Sequence, residues 1–250
     1  MINIKDWLVY KILRETCSWF ISTYPRGPSI NLNFRIKNVA KDYLYSLCRI
    51  IKELTIDSLG NLFYRIKAVI RYHFIEDRLG IKTLVDHNFG YEPTPYHMIE
   101  RMIEYLPFNS EDIFVDLGCG KGRVILYLST KNLRKIIGVE VRNDLANIAK
   151  HNLKNLKLKN TLVEIIDSDV AIFKIEEGTV FFMNNPFGEK ILSKVIKNIK
   201  KNLAMNFKKI RIIYYNPVYK NLLDSQDWLV SEGNVNKIPG GTPMIVWRSR

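Results

Sequence analysis

From the start of the chain to about Leu84, apolar residues return every three or four positions, the period of one helix face. Val39, Tyr43, Leu47, Ile50, Ile51 and Leu54 make one such stripe, and Asp57-Ser58 offers a side-chain cap for the next helix. That helix carries Leu62, Phe63, Ile66, Val69 and Ile70 on one side, with Arg65, Lys67 and Arg71 interleaved. Trp7, Leu8 and Ile12 with Lys11 and Arg14 predict a further amphipathic helix, set apart by Pro25, Gly27 and Pro28. After about Asp86 the pattern changes to short, β-branched apolar runs at 113–117, 135–141, 161–166, 179–183, 210–215 and 244–247, separated mostly by helical periodicity. Strands this apolar are covered on both faces, which a mainly parallel sheet with crossover helices requires. The expected organisation is a helical N-terminal extension over 1–85 and an α/β domain over 86–250.

Composition refines this picture in three places. With 250 residues, 47% hydrophobic and 12% aromatic, the chain can bury a full core, so disorder is not the default. A formal charge of +13 invites a polyanionic partner, but Lys, Ile and Asn are abundant throughout, as a compositionally biased genome would also produce. Cys17, Cys48 and Cys119 are odd in number, far apart and without metal-ligand spacing. Neither a disulfide framework nor a metal site is therefore expected, and a reducing cytoplasm fits best. No stretch reaches the roughly 18 uninterrupted apolar residues of a membrane span, and Asp6, Lys11, Arg14 and Glu15 interrupt what would be a signal peptide.

The chemistry-bearing stretch is Phe114-Val-Asp-Leu-Gly-Cys-Gly-Lys-Gly-Arg123, a buried strand running into glycines and then into the helical pattern of Val124, Ile125, Leu126 and Leu128. Glycine permits a tight turn and close approach of a ligand to the backbone. The N–H groups that open the helix suit a carboxylate or phosphate. A phosphate-binding P-loop would need Ser or Thr after Lys121, where Gly122 stands, and a dinucleotide fingerprint would need glycine at Arg123. What the segment resembles is the first motif of the class I S-adenosylmethionine-dependent methyltransferases, in which an acidic residue ends the first strand and the turn reads Gly-x-Gly. The resemblance spans about Tyr91 to Trp247 and implies a doubly wound, Rossmann-like sheet of seven strands. It also implies S-adenosyl-L-methionine as cofactor, with Asp116, Gly118 and Gly120 lining its methionine half.

The same resemblance assigns residues at the next strand ends. Glu140, about twenty residues beyond the glycines, takes the position that accepts from the ribose hydroxyls. Asp169 and Val170 take the adenine-binding position, with Asp167 able to exchange roles with Asp169. Asn185-Pro186-Phe187 resembles the Asn/Asp-Pro-Pro-Tyr/Phe motif of amino-group methyltransferases, with one proline in place of two. There an amide oxygen and a proline-fixed carbonyl accept from the target N–H groups, and an aromatic ring holds the substrate. Tyr91-Glu-Pro-Thr-Pro-Tyr96 resembles the segment that closes over the cofactor, whereas His97 reads as a helix-terminus residue. Tyr214, Tyr215 and Asn216 wall the substrate side or simply fill core and turn. Lys190, Lys194, Lys197 and Lys201 form a solvated helix face opposite Ile191, Val195 and Ile199.

The expected activity is methylation of a nitrogen on a macromolecule, a protein lysine being favoured over nucleic acid, without a metal. A nucleic-acid adenine methyltransferase and a non-catalytic cofactor-binding module are the alternatives, and the retained cofactor residues argue against the second.

Overall fold

In a computed structural model the chain divides into two compact units, Met1–Arg71 and Tyr72–Arg250. The structure describes residues 91–156, 161–185, 187–206, 209–237 and 241–250, together with Glu76, Gly80, Ile81 and Thr83. The helices expected before residue 72 lie outside the described residues.

Among the described residues, the second unit contains α1 (Tyr96–Tyr105), followed by β1 (Ile113–Leu117), α2 (Arg123–Leu128), β2 (Lys135–Glu140), α3 (Asn143–Asn155) and β3 (Leu162–Asp167). Next come β4 (Val180–Asn184), α4 (Glu189–Asn206), β5 (Arg211–Tyr215), α5 (Lys220–Asp224), β6 (Leu229–Asn234) and β7 (Met244–Ser249). The seven strands form one sheet in the order β3-β2-β1-β4-β5-β7-β6. The first five in sequence pair in parallel, while β7 runs antiparallel to both β5 and β6. This is the doubly wound, Rossmann-like arrangement that the sequence resemblance implies.

Side-chain alternation divides the core in two. Val115, Leu117, Phe181, Met183, Ile212 and Tyr214 point to the layer of α4, where Leu192, Val195, Ile196 and Ile199 meet them. Phe114, Ile136, Phe182 and Ile213 point the other way, to Met98 and Met102 of α1 and Ile125 and Leu128 of α2. Every residue of β1 is buried, as its unbroken apolar run requires apart from Asp116. On α4 the predicted lysine stripe is exposed, and Val195 and Ile199 opposite it are buried. Six strands fall on predicted runs, but β6 was not foreseen. Its Leu229-Val-Ser-Glu-Gly-Asn sequence has no apolar run, because it is an edge strand that leaves Ser231, Glu232 and Asn234 at least partly in water.

Strand order reverses between β1 and β4. Chain connections lead away in opposite directions at their carboxyl ends and leave a crevice there, the usual place for a ligand in an open parallel sheet.

Candidate active site

A cavity of about 400 Å³ occupies that crevice, lined by residues of β1, β2 and β4 and of the loops that follow β1 to β5. Its floor is the glycine turn. Gly118 and Gly120 both have positive φ, 86° and 55°, the left-handed region that costs a side chain about 1–2 kcal/mol. The amides of Gly118 and Cys119 donate to Val139 O at 2.9 and 3.0 Å, so the turn is pinned to β2. A Cβ on Gly120 would stand 2.2 Å from the Tyr91 ring, which lies over the turn.

Glu140 is buried and its two oxygens are held separately. Oε2 accepts from the Gly120 N–H at 2.8 Å, and Oε1 accepts from the Arg142 N–H at 3.0 Å. A carboxylate offers about four acceptor positions, so positions remain for two ligand hydroxyls. Asp116, 3% exposed at the end of β1, has its carboxyl pushed up to about 8, chiefly by burial and further by the negative charge of Glu140. Burial, followed by the charges of Asp116 and Glu140, also keeps the Cys119 thiol protonated.

The loop after β3 sends its two acids in different directions. Asp169 and Val170 line the cavity. The Asp169 carboxylate closes its own turn by accepting from the Ala171 N–H at 2.8 Å. Asp167 is exposed instead and accepts from Asn143 Nδ2 at 2.5 Å, outside the cavity lining.

At the end of β4, Asn184 and Asn185 take different directions. Asn184 Nδ2 donates to Glu92 O at 3.1 Å, tying β4 to the Tyr91–Thr94 segment that walls the cavity. Asn185 turns into the left-handed region with φ of 38°, and its Oδ1 accepts from the Tyr214 hydroxyl at 3.0 Å. Phe187 lines the cavity while packing on the α4 side of the core. Pro186 lies outside the described residues. Asn216, one residue past β5 and also at positive φ, 52°, lines the cavity, whereas Tyr214 is buried with only its hydroxyl turned toward Asn185. His97 is buried in the first turn of α1 and does not line the cavity.

Two supports escaped the sequence reading. Arg123, considered there only as the residue that spoils a dinucleotide fingerprint, is 8% exposed and packs its guanidinium 4.6 Å from the Tyr96 ring centre. It donates to Thr83 Oγ1 and to Thr83 O, both at 2.8 Å, and lies 3.7 Å from Glu76 Oε1. Glu76 also accepts from the hydroxyls of Thr83 and Tyr96. The second support is Asn152 of α3, whose Nδ2 donates to Lys121 O at 3.0 Å and braces the turn from below. An arginine where the helix opens, directly after the third glycine, was the available signal for the first; the second had none.

The cavity suits S-adenosylmethionine on this chemistry. Glycines at positive φ leave the backbone accessible, the buried Glu140 carboxylate has acceptor positions left for hydroxyl groups, and a second buried acid, Asp116, lines the same cavity. Among the described residues, no group of three acidic, His or Cys side chains is placed to hold a metal, and no helix is long and apolar enough to cross a membrane.

Comparison with known proteins agrees with this class. The model of the family described as Histone methylation protein DOT1 matches residues 85–227, more than half of the chain, which belongs to that family. The chain is 29% identical over 154 residues to a protein-lysine N-methyltransferase of Saccharolobus islandicus, covering 58% of this chain and 88% of that protein. It is 32% identical over 103 residues to the H3 lysine-79 specific histone-lysine N-methyltransferase of Dictyostelium discoideum, covering 36% of this chain but 6% of that protein. In three dimensions it is similar to the methyltransferase-fold protein yhhF of Escherichia coli, with a TM-score of 0.52 at 17% identity over 64% of this chain and 88% of that one. The protein is an S-adenosylmethionine-dependent methyltransferase.

Proposed function

We propose that the enzyme methylates a protein lysine amino group. The observation that carries this reading is the placement of Asn185, whose side-chain amide stands at the end of β4 beside β1 and lines the same cavity as Asp116 and Glu140. The cofactor supplies an electrophilic methyl group on a sulfonium, so the reaction is an in-line displacement, and the protein's task is alignment and electrostatic placement. Asn185 accepts an N–H of the incoming amine and turns its lone pair toward the methyl carbon, with Phe187 holding the alkyl chain. An amine must arrive unprotonated, and burial beside Phe187 favours the neutral form. The carboxylates of Glu140 and Asp169 in the cavity lining attract a cationic side chain to its mouth. The two lysine methyltransferases among the relatives support the choice of acceptor.

In the same reading Asp116, Gly118 and Gly120 contact the methionine half of the cofactor, Glu140 the ribose, and Asp169 with Val170 the adenine. The deciding experiment transfers tritium from labelled cofactor into cell lysate treated with nuclease or with protease. Label that survives nuclease and is lost with protease, and that is recovered as methyl-lysine after hydrolysis, supports the proposal. Label confined to RNA or DNA replaces it with the nucleic-acid reading.

A further inference from the structure

Tyr214 is 1% exposed, and its ring is part of the core between the sheet and α4. A ring in that layer needs no hydroxyl, and phenylalanine would fill the volume. The hydroxyl nevertheless reaches Asn185 Oδ1 at 3.0 Å from the neighbouring strand, where Tyr214 pairs with Met183 of β4. Asn185 needs such a partner. Its backbone has left the strand at φ of 38°, and the terminal torsion of an asparagine has two broad wells of similar energy, so the amide by itself would present either its oxygen or its NH₂ to the cavity. The direction of the bond follows from the two groups: burial raises the pKa of the hydroxyl and keeps it protonated, and an amide oxygen can only accept, so the Tyr214 proton goes to Asn185 Oδ1.

We propose that Tyr214 is a positioning residue for methyl transfer: its buried hydroxyl holds the Asn185 amide in the orientation that offers its remaining oxygen acceptor position to the substrate nitrogen. The proposal rests on the amine-orienting reading of Asn185. Substrate contacts belong to Asn185; Tyr214 acts only through it. This separates Tyr214 from Tyr215, which packs on the opposite side of the sheet, and gives a role to a residue that sequence pattern leaves between core and substrate wall.

The experiment is a double-mutant cycle read as turnover at saturating S-adenosylmethionine, with the protein fraction of nuclease-treated lysate as methyl acceptor. Tyr214→Phe should lower turnover about tenfold, the effect of one neutral hydrogen bond, while leaving cofactor affinity within about twofold. In an Asn185→Gly background, which removes the amide but tolerates the positive φ, Tyr214→Phe should change turnover by less than about twofold. Losses that multiply, or a Tyr214→Phe enzyme with more than half of wild-type turnover while Asn185→Gly is impaired, would overturn this proposal alone. Wild-type turnover in Asn185→Gly would overturn the amine-orienting reading and this proposal with it. Should Tyr214→Phe not fold, difluorotyrosine at position 214 keeps ring and hydroxyl but ionises at lower pH. Its turnover should then fall on the alkaline side, where wild type does not, and an unchanged pH profile would reject the role.

Discussion

Asp116→Asn should uncouple the protein from pH in two independent measurements. The wild-type carboxyl, normally near 3.8, is pushed up to about 8 by burial and by the adjacent Glu140. At pH 7 roughly one molecule in ten is ionised there, and ionising the rest costs about 1.4 kcal/mol. The sign for folding follows: between pH 4 and 8 the native protein holds a proton that the unfolded chain has released. This group's contribution is therefore fully present below pH 4 and is lost as pH rises toward 8, by up to about 1.4 kcal/mol per unit. Urea unfolding of the ligand-free protein across this window should show that decline in wild type and lack it in Asp116→Asn, which keeps the shape without the ionisation. Cofactor binding should behave oppositely, because the sulfonium favours the ionised acid. Binding then releases a proton from Asp116, and affinity gains up to about tenfold per pH unit below 8. The cofactor's own amino group, with an α-amino pKa of about 8, titrates nearby, so the comparison is the difference between wild type and Asp116→Asn. Titration calorimetry in two buffers of unlike ionisation enthalpy, at pH 7, should find close to one more proton released by wild type. Equal proton release, together with parallel stability profiles, would refute the assignment of a protonated Asp116 in the cofactor cavity.

Four other outcomes follow from the same geometry. Gly120→Ala sets a Cβ 2.2 Å from the Tyr91 ring at φ of 55°, so cofactor affinity measured by calorimetry should fall at least tenfold, and an unchanged value would detach Tyr91 from the site. Glu140→Ala removes the anchor of the Gly120 N–H together with the carboxylate proposed for the ribose, and should cost about 1.5–3 kcal/mol in cofactor binding, roughly ten- to a hundredfold. Asn185→Ala and Asn185→Gly should both lose on the order of a hundredfold in turnover with cofactor affinity nearly intact, the alanine variant being the less stable because of its positive φ. Arg123→Met strands the buried Glu76 carboxylate and should destabilise the domain by about 3–5 kcal/mol in urea unfolding, whereas the double variant Arg123→Met with Glu76→Gln should recover part of that loss.

Sequence alone determined the elements that are buried on both faces and the turn that joins two of them. A strand such as 113–117, apolar apart from Asp116, calls for cover on both faces, which a mainly parallel sheet with crossover helices supplies, and three glycines after its acid leave few conformations for the chain. The fold class and the cofactor were therefore legible in adjacent residues, where covalent spacing fixes distance. Glu140 was legible for the same reason, since one crossover helix sets how far along the chain the next strand must end. What sequence left open depends on contacts that no spacing encodes. Asp167 and Asp169 are chemically alike, and only the turn after β3 decides that Asp169 faces the cavity. Strand β6 is an edge strand whose pairing to β7, not its hydrophobicity, makes it a strand. Arg123 reads as a defect in a glycine motif until Glu76, Thr83 and Tyr96 close around it. Tyr214 and Asn185 are 29 residues apart, and the parallel pairing of β4 with β5 brings hydroxyl and amide to 3.0 Å. Local chemistry is written in neighbouring residues; side chains from distant strands meet only when the sheet fixes their register, and that is a property of the folded chain.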